Sequence, residues 1–405
     1  MRRLLTRALL PLAGLGFGCG GEEATGPTSR PEETHHPLAE VVIASIAVDQ
    51  TGDVGRYTSL AIGPDGRRHI TYRDATNEDL KYAVCAASNC AFAGSWTRGA
   101  VDKVGNVGFY SSLKIGPDGR RYVTYGDLDN SSLKFATCPP SSSCLAVADW
   151  TKTTIDPDAT SELGALALNE NGGKEVAYRG TGDGPGNELR YAICNGGCGQ
   201  AANWFKVILD QVGLGSGGSV MSLAISGGMR HITYYNADDL KLGYATCASN
   251  CTNAAMWQKS SIDTDIHAVH SSFVQSGPFG LRHVAYHDLI HGDLKYARCG
   301  LNCNAASNWK KVTVASTGST GVNPSMVVEP NGRVHVSYYN STGTSLAYAT
   351  CLSDCITASG WSKSVLDGFL SVEGEYSSLV VQNGVAEISY YDRTNRNLNF
   401  LKRTP

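Results

Sequence analysis

Residues Ser112 to Asp156, SLKIGPDGRRYVTYGDLDNSSLKFATCPPSSSCLAVADWTKTTID, contain one full turn of a pattern that fills the chain. SLKI, RRYVTYGD, SLKFATC and the run that opens on Trp150 are short and alternate apolar with polar residues. Gly, Asp, Asn and Ser clusters separate them, which is the signature of half-buried strands. The Pro117-Asp118-Gly119 sequence between the first two is hairpin chemistry. Aligned on its third run, the pattern recurs with an aromatic at Tyr82, Phe135, Tyr191, Tyr244, Tyr296, Tyr348 and Phe400, spaced 52 to 56 residues apart. Four strands in a unit of about 50 residues is the period of a propeller blade. The sequence therefore predicts an all-β, seven-bladed β-propeller of four-stranded antiparallel blades over residues 40–405. Repeats are expected near 57–102, 110–156, 163–210, 220–263, 270–315, 323–367 and 376–405.

A ring of blades must close, because an open array leaves unpaired sheet edges. Six repeats end in a strand that begins with Trp: Trp96, Trp150, Trp204, Trp257, Trp309 and Trp361. Five of these strands end in Asp and the fifth ends in Ala315. The seventh repeat stops at Pro405 without that strand. A spare run, VVIASIAVD, precedes the first repeat at 41–49, with Asp49 matching the strand-ending Asp. The N-terminal strand is expected to complete the last blade.

Twelve of the thirteen cysteines form close pairs: Cys85 with Cys90, Cys138 with Cys144, Cys194 with Cys198, Cys247 with Cys251, Cys299 with Cys303, and Cys351 with Cys355. Three, four or five residues separate the partners, a variation that a Cys-x-x-Cys metal or redox site would not easily accommodate and a loop-closing disulfide would. The thirteenth, Cys19, follows a basic stretch, MRRLLTR, and an apolar run of ten residues, ALLPLAGLGF, too short to span a bilayer and suited to a signal peptide over 1–18. GLGFGC resembles a bacterial lipobox, with Gly16 where Leu is usual. The resemblance implies a lipidated Cys19, followed over 19–39 by a polar Gly-, Pro-, Glu- and Thr-rich tether in which His35 and His36 read as linker. The expected address is export, with lipid anchoring in the outer membrane facing either the periplasm or the outside. Charged residues make up 18% of the chain and the formal net charge is -3, so a nucleic-acid partner is not expected.

Candidate sites lie where the repeats differ. The six Trp residues repeat one position and read as packing, with sugar stacking as the alternative. The Asp or Asn after the second strand (Asp74, Asp127, Asn236, Asn340 and Asp392) opens a loop where such residues cap turns. That loop should emerge near the channel mouth, so these residues are also candidate ligand contacts, together with Tyr57, Tyr110 and Tyr376 at the blade starts. Blade five differs again. DTDIHAVH and HDLIHGD bring His267, His270, His287 and His291 onto two of its loops, with Asp288 nearby. Imidazoles and a carboxylate could hold a divalent metal or act as an acid and base pair near neutral pH; the alternative is solvated loop histidines.

The repeats resemble those of secreted seven-bladed propellers of the sialidase-like and fucose-lectin-like groups, in architecture only. The Ser-x-Asp-x-Gly-x-x-Trp boxes of sialidases are absent from the sequence. GPDG at Gly63 to Gly66 and Gly116 to Gly119 is similar to turns of streptogramin lyase, another seven-bladed protein, whose active site uses a metal and a His. Near-identical blades without a nucleophile elbow, a phosphate loop or a distinctive carboxylate pair lean away from an enzyme. The expectation is a monomeric, surface-tethered binding scaffold for carbohydrate or protein ligands. The alternative is a hydrolase or lyase with its site on blade five, and a purely structural envelope protein is a third reading.

Overall fold

A computed structural model describes residues 42–85, 90–181, 187–213, 221–264, 266–276, 280–368 and 372–404. The expected signal segment, Cys19 and the tether lie outside them. Residues 40–405 form one unit of seven four-stranded antiparallel sheets. In the first blade, Val54–Ile62 is the inner strand, followed outward by Arg68–Asp74, Asp79–Cys85 and Trp96–Asp102. The inner strands of successive blades contact one another all the way round, so they wall a central channel.

The last blade closes as the sequence implied. Its inner three strands are Glu373–Gln382, Val385–Asp392 and Asn397–Arg403, and its outer strand is Val42–Asp49. Val42 pairs with Arg403 and Asp49 with Leu398.

Asp49 and its equivalents fasten each blade to the next. The Asp102 carboxylate, at the end of the first blade's outer strand, accepts hydrogen bonds from Tyr125 Oη at 2.8 Å and Lys134 Nζ at 2.6 Å, both in the second blade. Asp49 does the same for Tyr72 and Lys81, and Asp156 for Tyr178 and Arg190. Asp210 serves Tyr234 and Lys259, and Asp263 serves Tyr286 and Lys311. Burial alone would raise the Asp102 carboxyl. The ammonium and phenol donors outweigh it and hold Asp102 below the usual carboxylate range, as they do Asp49 and Asp263. Where Ala315 replaces the acid, the facing cation is lost as well: Ala347 stands at the position of Lys134, and the Tyr338 hydroxyl turns to Thr320. The two absences agree, because an unpaired lysine in that interface would be a buried charge without compensation.

All six tryptophans are buried. Each indole Nε1 donates to the carbonyl of the second cysteine of its own loop, as Trp150 does to Cys144 at 3.0 Å. Each ring packs edge-on against the third-strand aromatic of the preceding blade, for example Trp150 on Tyr82 at 5.6 Å and Trp96 on Phe400 at 5.0 Å. Between the sixth and seventh blades no Trp is available, and the Arg403 guanidinium covers the Tyr348 ring at 4.1 Å instead.

The six cysteine pairs are bridged as expected. Such bonds persist in an oxidising compartment, so they place the protein outside the reducing cytosol. Closing so short a loop stabilises by only about 2 kcal/mol in the chain-entropy model. Replacing Cys247 and Cys251 together by Ser should therefore lower the urea unfolding free energy by no more than about 2 kcal/mol. Loss of the folded state in that variant would give the bridge a larger role than closing its loop.

Candidate functional site

One end of the channel is built by an irregularity in the inner strands. Blades one, two, six and seven begin with Gly55, Gly108, Gly321 and Gly374, at φ of +111°, +93°, +94° and +102°. A Cβ on Gly374 would stand 2.5 Å from the Leu346 Cα of the neighbouring blade, and one on Gly55 would stand 2.7 Å from Leu398 Cα. Only glycine allows that approach. Pairing with the second strand slips twice around each of these segments, and two residues past each Gly the chain turns left-handed again. Those second positions are Tyr57, Tyr110, Asn323 and Tyr376, with φ of 54°, 46°, 50° and 56°. Tyrosine in this region is a backbone outlier that the surrounding structure must hold in place.

The result is an aromatic cluster across the channel mouth. The Tyr57 ring lies 4.2 Å from Tyr110 and 4.5 Å from Tyr376 between centroids, and all three rings, with Asn323, line a cavity of about 260 Å³. Burial pushes the Tyr376 phenol well up, and the neighbouring Tyr57 and Tyr110 push the same way, so it stays neutral. Around the rings lies a charged rim. Arg56 pairs with Asp53 at 2.8 Å, Tyr391 Oη donates to Asp53 at 2.8 Å, and Arg73 stacks 4.2 Å above Phe109.

The loop-opening Asp and Asn side chains are buried or nearly so, and they hold their own turns. Asp74 accepts from the backbone N–H of Thr76 and Asn77, Asp127 from Asn130, Asn236 from Asp238 and Asp239, Asn340 from Gly343, and Asp392 from Asn395. Each of these loops meets the connection that enters its blade, as where Ala75 N–H donates to Asp53 O at 2.7 Å and Leu289 N–H to His267 O at 2.9 Å. Both sets of loops therefore share the end of the ring that carries the tyrosines.

In blade five, consecutive residues of a strand point to opposite faces, so His287 and Asp288 part company. Asp288 accepts from His291 Nδ1 at 2.8 Å and from Lys295 at 3.3 Å, while the His291 side chain is largely exposed. His287 is 1% exposed, and neither of its ring nitrogens has a hydrogen-bond partner among the described residues. Burial lowers its imidazole to about 4, with Asp288 opposing and His267 adding to the drop. His267 stacks on Tyr235 at 4.9 Å. His270 pairs through its backbone with His287, and its side chain lies outside the described residues. Among the described residues no three His, Cys, Asp or Glu side chains come close enough together to hold a metal ion.

Sequence reasoning picked out the three tyrosines because that position varies between blades. It did not pick out Asn323, or the Gly-x-Tyr spacing that turns the rings inward, although the glycines at 55, 108, 321 and 374 were a readable signal.

No family model matches the chain, and no curated protein matches it in sequence. Solved structures do match. An ulvan lyase of polysaccharide lyase family PL25 is 10% identical with a TM-score of 0.52, covering 89% of this chain and 95% of its own. Prolyl oligopeptidase B from Galerina marginata is 9% identical with a TM-score of 0.51, over 86% of this chain and 50% of its own. The NanB sialidase from Streptococcus pneumoniae is 12% identical with a TM-score of 0.47, over 89% and 70%. At these identities the likeness is one of fold: the chain is a seven-bladed β-propeller, an architecture similar to that of the ulvan lyase and of prolyl oligopeptidase B.

Proposed function

We propose that the protein is a carbohydrate-binding module that takes its ligand on the tyrosine-lined mouth of the channel. It would be held at the outer membrane of the cell through a lipid on Cys19. The observation that carries this reading is the left-handed backbone at Tyr57, Tyr110 and Tyr376. Packing does not require tyrosine there, since Asn323 occupies the same position in blade six. Strain held in three blades to converge three rings is the kind of cost that persists at binding sites. Aromatic faces offer the apolar side of a sugar ring a flat platform, and the Arg56, Asp53 and Tyr391 rim offers its hydroxyls partners.

The test is a glycan array with the full chain, run with and without a chelator. Specific binding should appear and survive chelation, and Tyr57→Ala should weaken it about tenfold or more, the loss expected of an aromatic anchor. A blank array under both conditions would sink the carbohydrate reading and turn attention to protein ligands.

A second reading, a lyase or hydrolase with a metal or proton-transfer role for the blade-five histidines, is favoured by one observation. His287 is a buried neutral imidazole whose two nitrogens have no hydrogen-bond partner among the described residues. Chelator-sensitive turnover of a bound glycan, lost in His287→Asn with the fold intact, would support it.

A further inference from the structure

Among the described residues that line the channel cavity, Lys114 is the one charged side chain. At the position of Lys114 every other blade has Ala or Val. Lys114 lines the same cavity as the tyrosines but sits four residues along the strand from Tyr110, about 13 Å at the usual strand rise. It therefore belongs to a different level of the channel. Its side chain is accessible to solvent yet walled by protein, and that enclosure lowers its ammonium below the ordinary lysine value. Among the described residues no acidic side chain lines the cavity, and Lys114 makes no ion pair. Four lysines and arginines drawn into blade interfaces, Lys81, Lys134, Arg190 and Lys295, have carboxylates against them, whereas Lys114 has none among the described residues. A solvent-reached ammonium with no carboxylate beside it, walled by protein at a position where the fold accepts alanine, is available to an anion entering the channel.

The nearby polar groups suit an anion. Ser112, two residues before Lys114 on the same side of its strand, accepts the Leu166 N–H at 3.1 Å, and Ser272 and Ser325 accept Met326 and Leu379 N–H in the same way. A serine hydroxyl whose oxygen is so used still has its proton to donate. We propose that the channel binds an oxyanion (sulfate, phosphate or carboxylate) on the Lys114 ammonium, with channel serine hydroxyls donating alongside it. This site lies in the same cavity as the tyrosine mouth but at another level of it, and anion binding is read apart from glycan binding.

The experiment titrates the full chain with sodium sulfate, sodium phosphate and a sulfated hexose at constant ionic strength, following heat of binding and the thermal midpoint. A saturable response is expected. Lys114→Ala, the residue other blades carry, should fold normally and weaken binding about tenfold or more, as removal of a charged hydrogen-bond donor does. Lys114→Arg should retain binding. If inorganic sulfate binds as tightly as the sulfated hexose, the ligand is the free anion; if the hexose binds markedly tighter, it is an anionic group on a saccharide. A response that fails to saturate for all three ligands, or one that Lys114→Ala leaves unchanged, overturns the proposal.

Discussion

Asp102→Ala is expected to lower the unfolding free energy by about 3–5 kcal/mol, the range for breaking a buried ion pair by removing one partner. The substitution takes from Lys134, whose side chain is 13% exposed, the nearer of its two carboxylates, leaving Asp127 at 3.6 Å, and takes the acceptor from Tyr125 Oη. Lys152, 3.4 Å from the same carboxylate, loses a partner too. The protein itself supplies the control. Between blades five and six, Ala315 and Ala347 stand where Asp102 and Lys134 stand between blades one and two. The triple variant Asp102→Ala/Lys134→Ala/Asp127→Asn, which copies Ala315, Ala347 and Asn340, should therefore recover much of the loss, because it removes the buried acids together with the lysine that faces them. Urea midpoints of the wild type, the single variants and the triple complete the comparison. A loss below about 1 kcal/mol for Asp102→Ala, typical of an exposed pair, would mean that these bridges are surface ornaments rather than interface locks.

Acid should unfold the propeller well before its carboxylates titrate. His69, His231 and His283 are buried, and each shares a hydrogen bond with the third-strand tyrosine of its blade: Tyr82 at 2.5 Å, Tyr244 at 2.6 Å and Tyr296 at 2.7 Å. Burial, with nearby arginines adding, lowers each of the three to about 4; His287 is also lowered to about 4, chiefly by burial. The folded protein keeps these rings neutral, while the unfolded chain protonates them near 6.5. Their contribution to stability is thus complete above pH 6.5 and is lost as pH falls toward 4, at about 1.4 kcal/mol per pH unit for each ring. Asp49, Asp102, Asp156 and Asp263 lie below their ordinary value of 3.8 and add nothing in that window. Unfolding free energies at pH 7, 5.5 and 4.5 should fall steadily, and His231→Gln should reduce the slope by about a quarter. Equal stability at pH 7 and 4.5 would rule out this role for the buried rings.

The architecture was legible because a four-strand unit repeats and because the missing strand and the spare one carry the same terminal Asp. The disulfides were legible for a similar reason, since each pair returns at the same point in its blade. The chemistry of the strand-ending Asp was not legible, because its partners Tyr125 and Lys134 belong to another sheet and lie 23 and 32 residues away. The mouth was half legible. Variation at Tyr57, Tyr110 and Tyr376 marked the position, but the inward turn depends on how closely Gly55 and Gly374 approach a neighbouring blade. Lys114 departs from the Ala or Val of every other blade, but that departure did not place it in the channel, since an alternating strand puts a channel lysine where a solvent-facing one would also stand.

The strand exchange in the last blade sets an order of events for the nascent chain. Val42 finds its partner only when Arg403 arrives, so the segment 42–49 must wait, unpaired, until almost the whole polypeptide has emerged. The entropy of joining ends so far apart grows only logarithmically with their separation, which makes the delay chiefly kinetic. Once the third strand of the final blade, Asn397–Arg403, has emerged and until 42–49 docks on it, it offers a bare edge to any extended segment nearby. The protein is accordingly most exposed to swapping its first strand with that of a second copy just before folding is complete, and a chain shortened at either end would retain that exposure permanently.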